Sequence, residues 1–552
     1  MKLLFVQLPS QSPDWSTAPA NVPLAAGYLA SFAESRGLLT RRDWEILDSD
    51  TMNHGSDMAI INAIAQKEPD IVGFTLYSWN LERSLFIAER LSWMLPRTRL
   101  IAGGPEVVEG MPVFSRSPFT SLVAGEGELA FCDLLQDIQQ HRPLSRVYRG
   151  RELVDLEDLP NPYLTGALTF STDMQVHLET VRGCSSRCAY CYYGKAYPLV
   201  RRFPEDRVLE VIREAAAAGV QEVYLMDPTF NARPEFPQFL RRIAEVNDDR
   251  LSLHTELRLE GITEEISKLL KKAGIASVEA GLQSVHQRAL DAIRRPFDRK
   301  AFERGAELLQ KQKIPIHTGI ILGLPFDGYE QVIETYDFLG MQGLGQEAEV
   351  YQLSLLPGTE VRDHADEWGM SYMESPPYLV TSTHWISQDD MVDAIAAFEE
   401  SFEVEWGMTP APHFTALSNG FVAFVDTRRA ENIDFVRLNP EKLSNSITML
   451  VDADDPETIM RLVRAAKDLR KDNPFSLYQI VLTSETRIPS DKLVERIRDA
   501  FYNPEHFFEA THLISPDMQQ SYQVRMFFAT RNFALAYRAM EEAQDLETMV
   551  VL

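Results

Sequence analysis

Two long stretches of the chain alternate short apolar runs with segments whose apolar positions recur at helical spacing. In the first, Leu3–Leu8, Trp44–Asp48, Ile71–Leu76, Thr98–Ala102 and Ser121–Ala124 have the length and character of buried strands, while Val22–Arg36, Ala59–Lys67, Leu81–Leu95 and Leu129–Gln139 have a helical period. Strand and helix in alternation predict an α/β fold, a doubly wound, Rossmann-like parallel sheet over residues 1–150. Ligands of such sheets bind beyond the carboxyl ends of the strands. Those ends carry Thr75-Leu-Tyr77-Ser78-Trp79-Asn80, Gly103-Gly104-Pro105-Glu106 and Gly125-Glu126-Gly127-Glu128. Glycines there let a large planar or phosphate-bearing ligand approach the backbone, although turns after strands also favour glycine for conformational reasons.

Residues 151–171, with Asp155-Leu-Glu-Asp-Leu-Pro-Asn-Pro, are acidic and proline-bearing and read as a linker. The second alternating stretch, residues 172–375, places strands at Gln175–Val181, Glu222–Met226, Leu251–Glu256, Ala276–Ala280, Ile314–Ile321 and Glu349–Leu353, with helices such as Glu205–Ala218 and Glu264–Ala273 between them. Six such units suit a partial (β/α)6 parallel barrel, whose chemistry gathers at the carboxyl ends of its strands. From about Pro376 the rhythm weakens. Tyr378, His384 and Trp385 read as packing under the barrel mouth, followed by a helix over Met391–Glu405. Strands at Ser446–Val451, Leu477–Leu482 and Ser521–Ala529, with helices at Pro456–Leu469, Asp491–Phe501 and Ala534–Glu542, are expected to make residues 376–552 a C-terminal accessory α+β domain.

Composition adds constraints rather than a function. At 552 residues there is chain for three or four domains, and no apolar run approaches the roughly 18–20 residues that span a bilayer. The start reads as a buried strand rather than a signal peptide. With 54 Lys and Arg against 81 Asp and Glu, the net charge of −27 repels phosphate backbones and anionic lipid, so nucleic acid is a poor expectation for a partner. The few cysteines, three of them clustered, imply a reducing interior and a cytoplasmic location.

That cluster is the most informative feature. Three of the four cysteines fall in Thr180-Val-Arg-Gly-Cys184-Ser-Ser-Arg-Cys188-Ala-Tyr190-Cys191, directly after the first barrel strand. Closely spaced thiolates are soft ligands for zinc or for an iron-sulfur cluster. A structural zinc site takes four ligands, and no fourth Cys or His stands at a plausible offset. His177 is the nearest imidazole, and its strand would hold it away from the loop. Cys132, on a helix of the first domain, reads as a small buried hydrophobe.

Spaced Cys-x3-Cys-x2-Cys with the aromatic Tyr190 before the last cysteine, the loop resembles the signature of the radical S-adenosylmethionine (SAM) superfamily. The resemblance implies that Cys184, Cys188 and Cys191 bind three irons of a four-iron, four-sulfur cluster, the fourth iron being left for the amino and carboxylate groups of SAM. It further implies SAM contacts at successive strand ends. Asp227 stands in the segment that meets the amino group, and Glu256 and Arg258 are placed for the ammonium and carboxylate, unless they simply tie barrel strands together. Glu279, Gln283 and Ser284 stand near the ribose, and the Gly319–Gly323 segment near adenine. The first domain resembles the cobalamin-binding domain of one radical SAM branch, through the helix around Pro23-Leu-Ala-Ala-Gly27-Tyr28-Leu29 and the turns holding Thr75, Tyr77, Ser78, Gly103, Gly104, Gly125, Glu126 and Gly127. It departs from that pattern where many such domains carry a cobalt-ligating histidine: the segment Pro9–Pro19 has none, and His54-Gly55 reads as a surface turn. A bound cobalt is therefore expected to have no histidine on its lower face. The implied activity is a cobalamin-dependent methyltransferase moving a methyl group from SAM to a substrate carbon or phosphorus. The alternatives are a radical cyclisation, oxidation or rearrangement on the same architecture, and a non-catalytic cobalamin or redox sensor. A small-molecule or peptide substrate and a flavodoxin- or ferredoxin-like electron donor are the expected partners.

Overall fold

The computed structural model describes residues 1–11, 21–108, 110–150, 152–172, 174–197, 199–248, 250–404, 411–511, 523–542 and 546–550. Parts of four expected features, the Pro9–Pro19 loop from residue 12 on, Arg151 at the linker start, Glu405 at the end of the Met391–Glu405 helix and the first residues of the Ser521–Ala529 strand, lie outside these residues.

Six strands, β1 (Leu3–Val6), β2 (Trp44–Ile46), β3 (Ile71–Thr75), β4 (Arg99–Gly103), β5 (Ser121–Ala124) and β6 (Val147–Arg149), form the first sheet in the order β2-β1-β3-β4-β5-β6. Every pair is parallel. Alternate residues face opposite ways along a strand, and both faces are buried: Leu3, Phe5, Ile71 and Ile101 join one core, Leu4, Val6, Val72 and Leu100 another. Burial on both faces is what turns a parallel strand into an unbroken apolar run. The strand order reverses between β1 and β3, the place where sheets of this topology bind ligands. The sequence reading missed β6, whose Val-Tyr-Arg is too short to show a period.

The second sheet holds β7 (Val176–Leu178), β10 (Glu222–Leu225), β11 (Ser252–Glu256), β12 (Ile275–Glu279), β13 (Ile316–Leu322) and β14 (Ala348–Gln352), neighbours in chain order and all parallel. It is the expected open six-stranded barrel. Between β7 and β10, a two-stranded hairpin of β8 (Val181–Arg182) and β9 (Arg201–Arg202) brackets the cysteine loop. The core on the Phe5 face of the first sheet continues without a break into the barrel helices, through Phe203, Ile212 and Phe239. A hairpin of β15 (Ser371–Tyr372) and β16 (Val380–Ser382) and the helix Gln388–Phe402 close one end of the barrel. Trp385 packs on Phe326 at 4.3 Å between ring centres and Tyr378 is buried, in keeping with the packing role expected of this segment.

The C-terminal part corrects the sequence reading. β17 (Leu417–Ser418) and β18 (Phe421–Asp426) form an antiparallel pair, but β18, β19 (Leu443–Asp452), β20 (Leu477–Thr483), β21 (Val524–Thr530) and β22 (Glu547–Val550) are all parallel with helices between them. This is α/β, not α+β. Polar residues buried on one strand face, such as Ser444, Ser446, Thr448 and Gln479, broke the continuous apolar run by which a parallel strand is recognised. This sheet leans on the first: the buried Asp57 carboxylate is 2.7 Å from Arg83 and accepts from the Phe475 backbone N–H at 2.9 Å, and the Asn445 side chain donates to the Asn53 carbonyl at 2.7 Å. His54 faces this junction, its carbonyl accepting from the Ser444 hydroxyl, so it is not a surface turn.

Candidate active site

The cysteine loop is shaped by its surroundings. Asp227, just beyond β10, is fully buried and receives the Thr180 and Val181 backbone N–H groups at 2.8 and 3.0 Å, with the Thr180 hydroxyl donating to its other oxygen. Burial outweighs these bonds and raises its pKa to about 6. Its oxygens are thus engaged in fixing the chain where β7 feeds the loop, and it does not line the cavity described below. Gly183 follows at φ +100°, where a side chain would run into the Leu199 carbonyl. Its N–H donates to the Tyr193 hydroxyl at 3.2 Å. The Ala189 N–H donates to the Ile293 carbonyl at 2.9 Å, and the Ala189 carbonyl accepts from the Val361 N–H at 3.1 Å, tying the loop across the barrel mouth.

A cavity of about 560 Å³ opens at the carboxyl ends of the barrel strands. Cys184, Cys188 and Cys191 line it together with Tyr190, Glu256, Arg258, Glu279 and Gln283. Gln283 donates to the Tyr190 hydroxyl at 2.9 Å, and Tyr224 donates to Glu279 at 2.7 Å. Arg258 is held by Glu260 at 2.6 Å and by the Pro296 carbonyl. Glu256 and Glu279 stand at paired positions on adjacent strands. Enclosure by the cavity walls, then the neighbouring Glu279, push the Glu256 pKa up to about 7. Besides Asp227, two expected SAM contacts lie elsewhere. Ser284 is fully buried and accepts the His286 N–H, and Gly323, at φ +87°, packs on Met391 and Val380. Arg295, which no motif had flagged, reaches within 3.9 Å of the Cys188 sulfur and donates to the Gly281 carbonyl.

A second cavity, about 330 Å³, lies between the carboxyl ends of the first sheet and the cysteine loop. Its walls include Thr75, Tyr77, Gly103, Gly104, Gly125, Glu126 and Gly127, and from the barrel side His177, Glu179, Arg182 and Met226. Ser78 is not among them. Asn80 holds the Tyr77 turn by accepting its backbone N–H at 2.9 Å and donating to the Leu8 carbonyl at 2.8 Å. Tyr77 and Trp79 stack in parallel at 4.4 Å. Gly104 is required by φ +109° and by the backbone of Leu76 against it, a conformational need distinct from any ligand. The Gly-Glu-Gly-Glu turn does more than line the cavity. Arg182, two residues before Cys184, is 2.8 Å from Glu128, 3.0 Å from Glu179 and 3.9 Å from Glu126, and Arg201 pairs with Glu126. Burial alone would lower the Arg182 pKa, but the flanking carboxylates raise it well above its ordinary value. His177 stands outside the cysteine-lined cavity, as its strand position implies, and lines this second one instead, where burial lowers its pKa to about 4. Cys132 is buried, as read, its pKa pushed up to about 11 by burial.

A doubly wound parallel sheet set against an open barrel, with a cavity at the strand ends of each and three thiols in one of them, defines a class of two-domain α/β proteins. Comparison with known families gives the particulars: residues 19–135 match the B12 binding domain and residues 178–339 the radical SAM superfamily, so the chain joins these two domains. Among curated relatives, the cobalamin-dependent radical SAM methyltransferase TokK of Streptomyces tokunonensis is 26% identical over 56% of this chain and 51% of its own length. The 2-(S-pantetheinyl)-carbapenam-3-carboxylate methyltransferase of Streptantibioticus cattleyicolor is 26% identical over 59% and 55%. The chain thus spans about half the length of these relatives. The structure of TsrM from Kitasatospora setae with cobalamin and a [4Fe-4S] cluster shares the fold at TM-score 0.55 and 16% identity, covering 74% of this chain and 93% of that one. The cobalamin-dependent SAM radical enzyme OxsB shares it at TM-score 0.57 and 16% identity, covering 72% and 66%.

The two domains imply a four-iron, four-sulfur cluster, SAM and cobalamin, and the residues present fit each. Among the described residues no three His, Cys, Asp or Glu side chains converge on a single-ion site. One zinc would need sulfurs roughly 3.8 Å apart, given bonds of about 2.3 Å, whereas a cluster spreads its thiolates over separate irons. Cys191 also receives the Tyr193 and Gly194 backbone N–H groups, donors suited to a thiolate. For cobalamin, the second cavity has an apolar interior of Phe5, Leu24, Leu29 and Phe74 and a polar mouth, suiting part of an amphipathic ligand larger than the slot itself.

Proposed function

We propose that this protein is a cobalamin-dependent radical SAM methyltransferase acting on a small molecule or peptide, with residues 1–150 holding the corrinoid and 172–375 the cluster and SAM. The observation that carries the reading is the placement of the Cys184–Cys191 loop, whose residues line one cavity while Arg182 before it and Tyr192, Tyr193 and Tyr197 after it line the other. When bound, the cofactors supply a methyl donor and the one-electron chemistry that activates an unreactive substrate atom. The chain's own part is to hold and exclude. Cys184, Cys188 and Cys191 present three thiolates and leave one coordination site open. Arg258 and Gln283 stand beside them in the same cavity as partners for a carboxylate and a sugar hydroxyl, and charge-assisted bonds of the first kind fix orientation as well as affinity. The Tyr77–Trp79 stack and the Gly104 turn shape the mouth of the corrinoid slot. One continuous apolar core runs from the first sheet into the barrel, and the ligands that fill the two pockets would exclude the water that reactive intermediates cannot tolerate. An electron-donor protein of flavodoxin or ferredoxin type and a reducing, cytoplasmic compartment belong to the same reading.

The test is anaerobic reconstitution with iron, sulfide and cobalamin, followed by metal analysis and by assay of SAM conversion to S-adenosylhomocysteine and deoxyadenosine. Wild type is expected to bind iron and cobalt and consume SAM, and Cys184→Ala, Cys188→Ala and Cys191→Ala to lose the cluster absorbance. Zinc in place of iron ends the reading; iron without corrinoid removes methylation and leaves the radical SAM barrel.

A further inference from the structure

Closed barrels of alternating strand and helix are filled inside by branched apolar side chains. This one is not. The inward positions His254 and Glu256 of β11, Ser277 and Glu279 of β12, and Glu349 and Tyr351 of β14 are polar, and all line the first cavity. Two of the three carboxylates already have a phenol: Tyr224 donates to Glu279, and Tyr351 donates to Glu349. The Glu256 carboxylate accepts no hydrogen bond and makes no ion pair among the described residues, although it sits at the paired position beside Glu279, an arrangement of like charges that costs stability. His254 is half satisfied. Its Nδ1 is 2.7 Å from the Ser277 hydroxyl, while its Nε2 is buried without a partner. The guanidiniums in the cavity wall are spoken for, Arg258 by Glu260 and the Pro296 carbonyl, and Arg295 by the Gly281 carbonyl beside Cys188. No lysine lines the cavity.

We propose that the substrate enters this lumen with an amine-bearing, cationic group directed at Glu256 and Glu349, and with its body against the rings of Tyr224 and Tyr351. This rests on the catalytic reading above and names the substrate class it leaves open. A phosphate or carboxylate in the same place would meet three carboxylates and no free cation. An ammonium would instead give the Glu256 carboxylate the partner it lacks and offset its repulsion by Glu279. The raised pKa of Glu256 is in keeping with a site that awaits a cation.

Benzylamine, benzyl alcohol and benzoate have the same size and differ in charge, and saturation-transfer NMR ranks their binding to the full-length protein, reconstituted with iron and sulfide and saturated with SAM. Benzylamine is expected to bind, benzyl alcohol more weakly and benzoate not at all, with about tenfold weaker amine binding in Glu256→Gln and in Glu349→Gln. Amine affinity unchanged in both variants, benzoate binding as well as benzylamine, or no amine binding overturns the proposal. So does displacement of the amine by SAM, which would assign these carboxylates to the SAM ammonium. Failure to take up iron would count against the catalytic reading alone, since the amine titration can be run on the metal-free chain.

Discussion

Arg182 offers the sharpest test of how the two cofactor domains are held together. Its side chain is 9% exposed, and its partners Glu128, Glu126 and Glu179 are 6%, 7% and 16% exposed. Arg182→Met keeps the packing against Tyr28 and Phe203 but leaves three carboxylates facing Arg201 alone. Removing one partner of a buried pair costs about 3–5 kcal/mol. The chain has one relief, which is to protonate a glutamate. From an ordinary value near 4.3, and at about 1.36 kcal/mol per unit, that costs about 3.7 kcal/mol at pH 7 and about 1 kcal/mol at pH 5. The expected loss is therefore about 3–4 kcal/mol at pH 7, shrinking to about 1 kcal/mol at pH 5. Urea unfolding at the two pH values, followed by circular dichroism with an unchanged dependence on urea, measures it. A loss below about 1 kcal/mol at pH 7, or one that does not shrink in acid, would refute the claim that this ion cluster bolts the first sheet to the cysteine loop.

Asp227→Ala is expected to cost about 1–3 kcal/mol, because it strands the two buried backbone N–H groups that share one carboxylate oxygen, whereas Asp227→Asn keeps an oxygen for both and can donate to the Thr180 hydroxyl, and is expected to cost less; thermal unfolding checks this. Asp227 also titrates at about 6 when folded, above its ordinary 3.8, so the folded state binds the extra proton and the contribution to stability falls as pH rises from about 4 to about 6; the Asn variant lacks that slope. Glu256→Gln follows the same sign through a higher window, gaining melting temperature over wild type as pH rises from about 4.5 to about 7 and matching it below, and a constant difference would show that Glu256 is not strained by its surroundings. Gly183→Ala places a Cβ against the Leu199 carbonyl at φ +100°, at a cost of about 1–2 kcal/mol for the backbone alone; the iron content of reconstituted protein should fall with it, and full iron content would show the loop tolerates the shift.

Much of this molecule is legible from residue order. Parallel strands buried on both faces must be apolar throughout, so β1, β3, β4 and β5 are legible as apolar runs, the barrel strands are legible as short runs alternating with helical segments, and the cysteine spacing placed the metal loop at the end of β7. Strand-end position carried Glu256, Arg258, Glu279 and Gln283 into the cavity, since a short loop leaves its first residues little freedom to turn elsewhere. What order alone could not decide was which polar groups are consumed by the fold. Asp227 looked like a ligand contact and is the clamp at the root of the cysteine loop. Glu126 and Glu128 looked like part of a ligand turn and are partners of Arg182 and Arg201, some 50 to 75 residues away in the chain. His177, Arg295 and the acidic lumen belong to the tertiary structure for the same reason. Hydrophobic burial follows a local period that can be counted along the chain, whereas the partner of a charge is set by through-space distance, which only the folded chain defines.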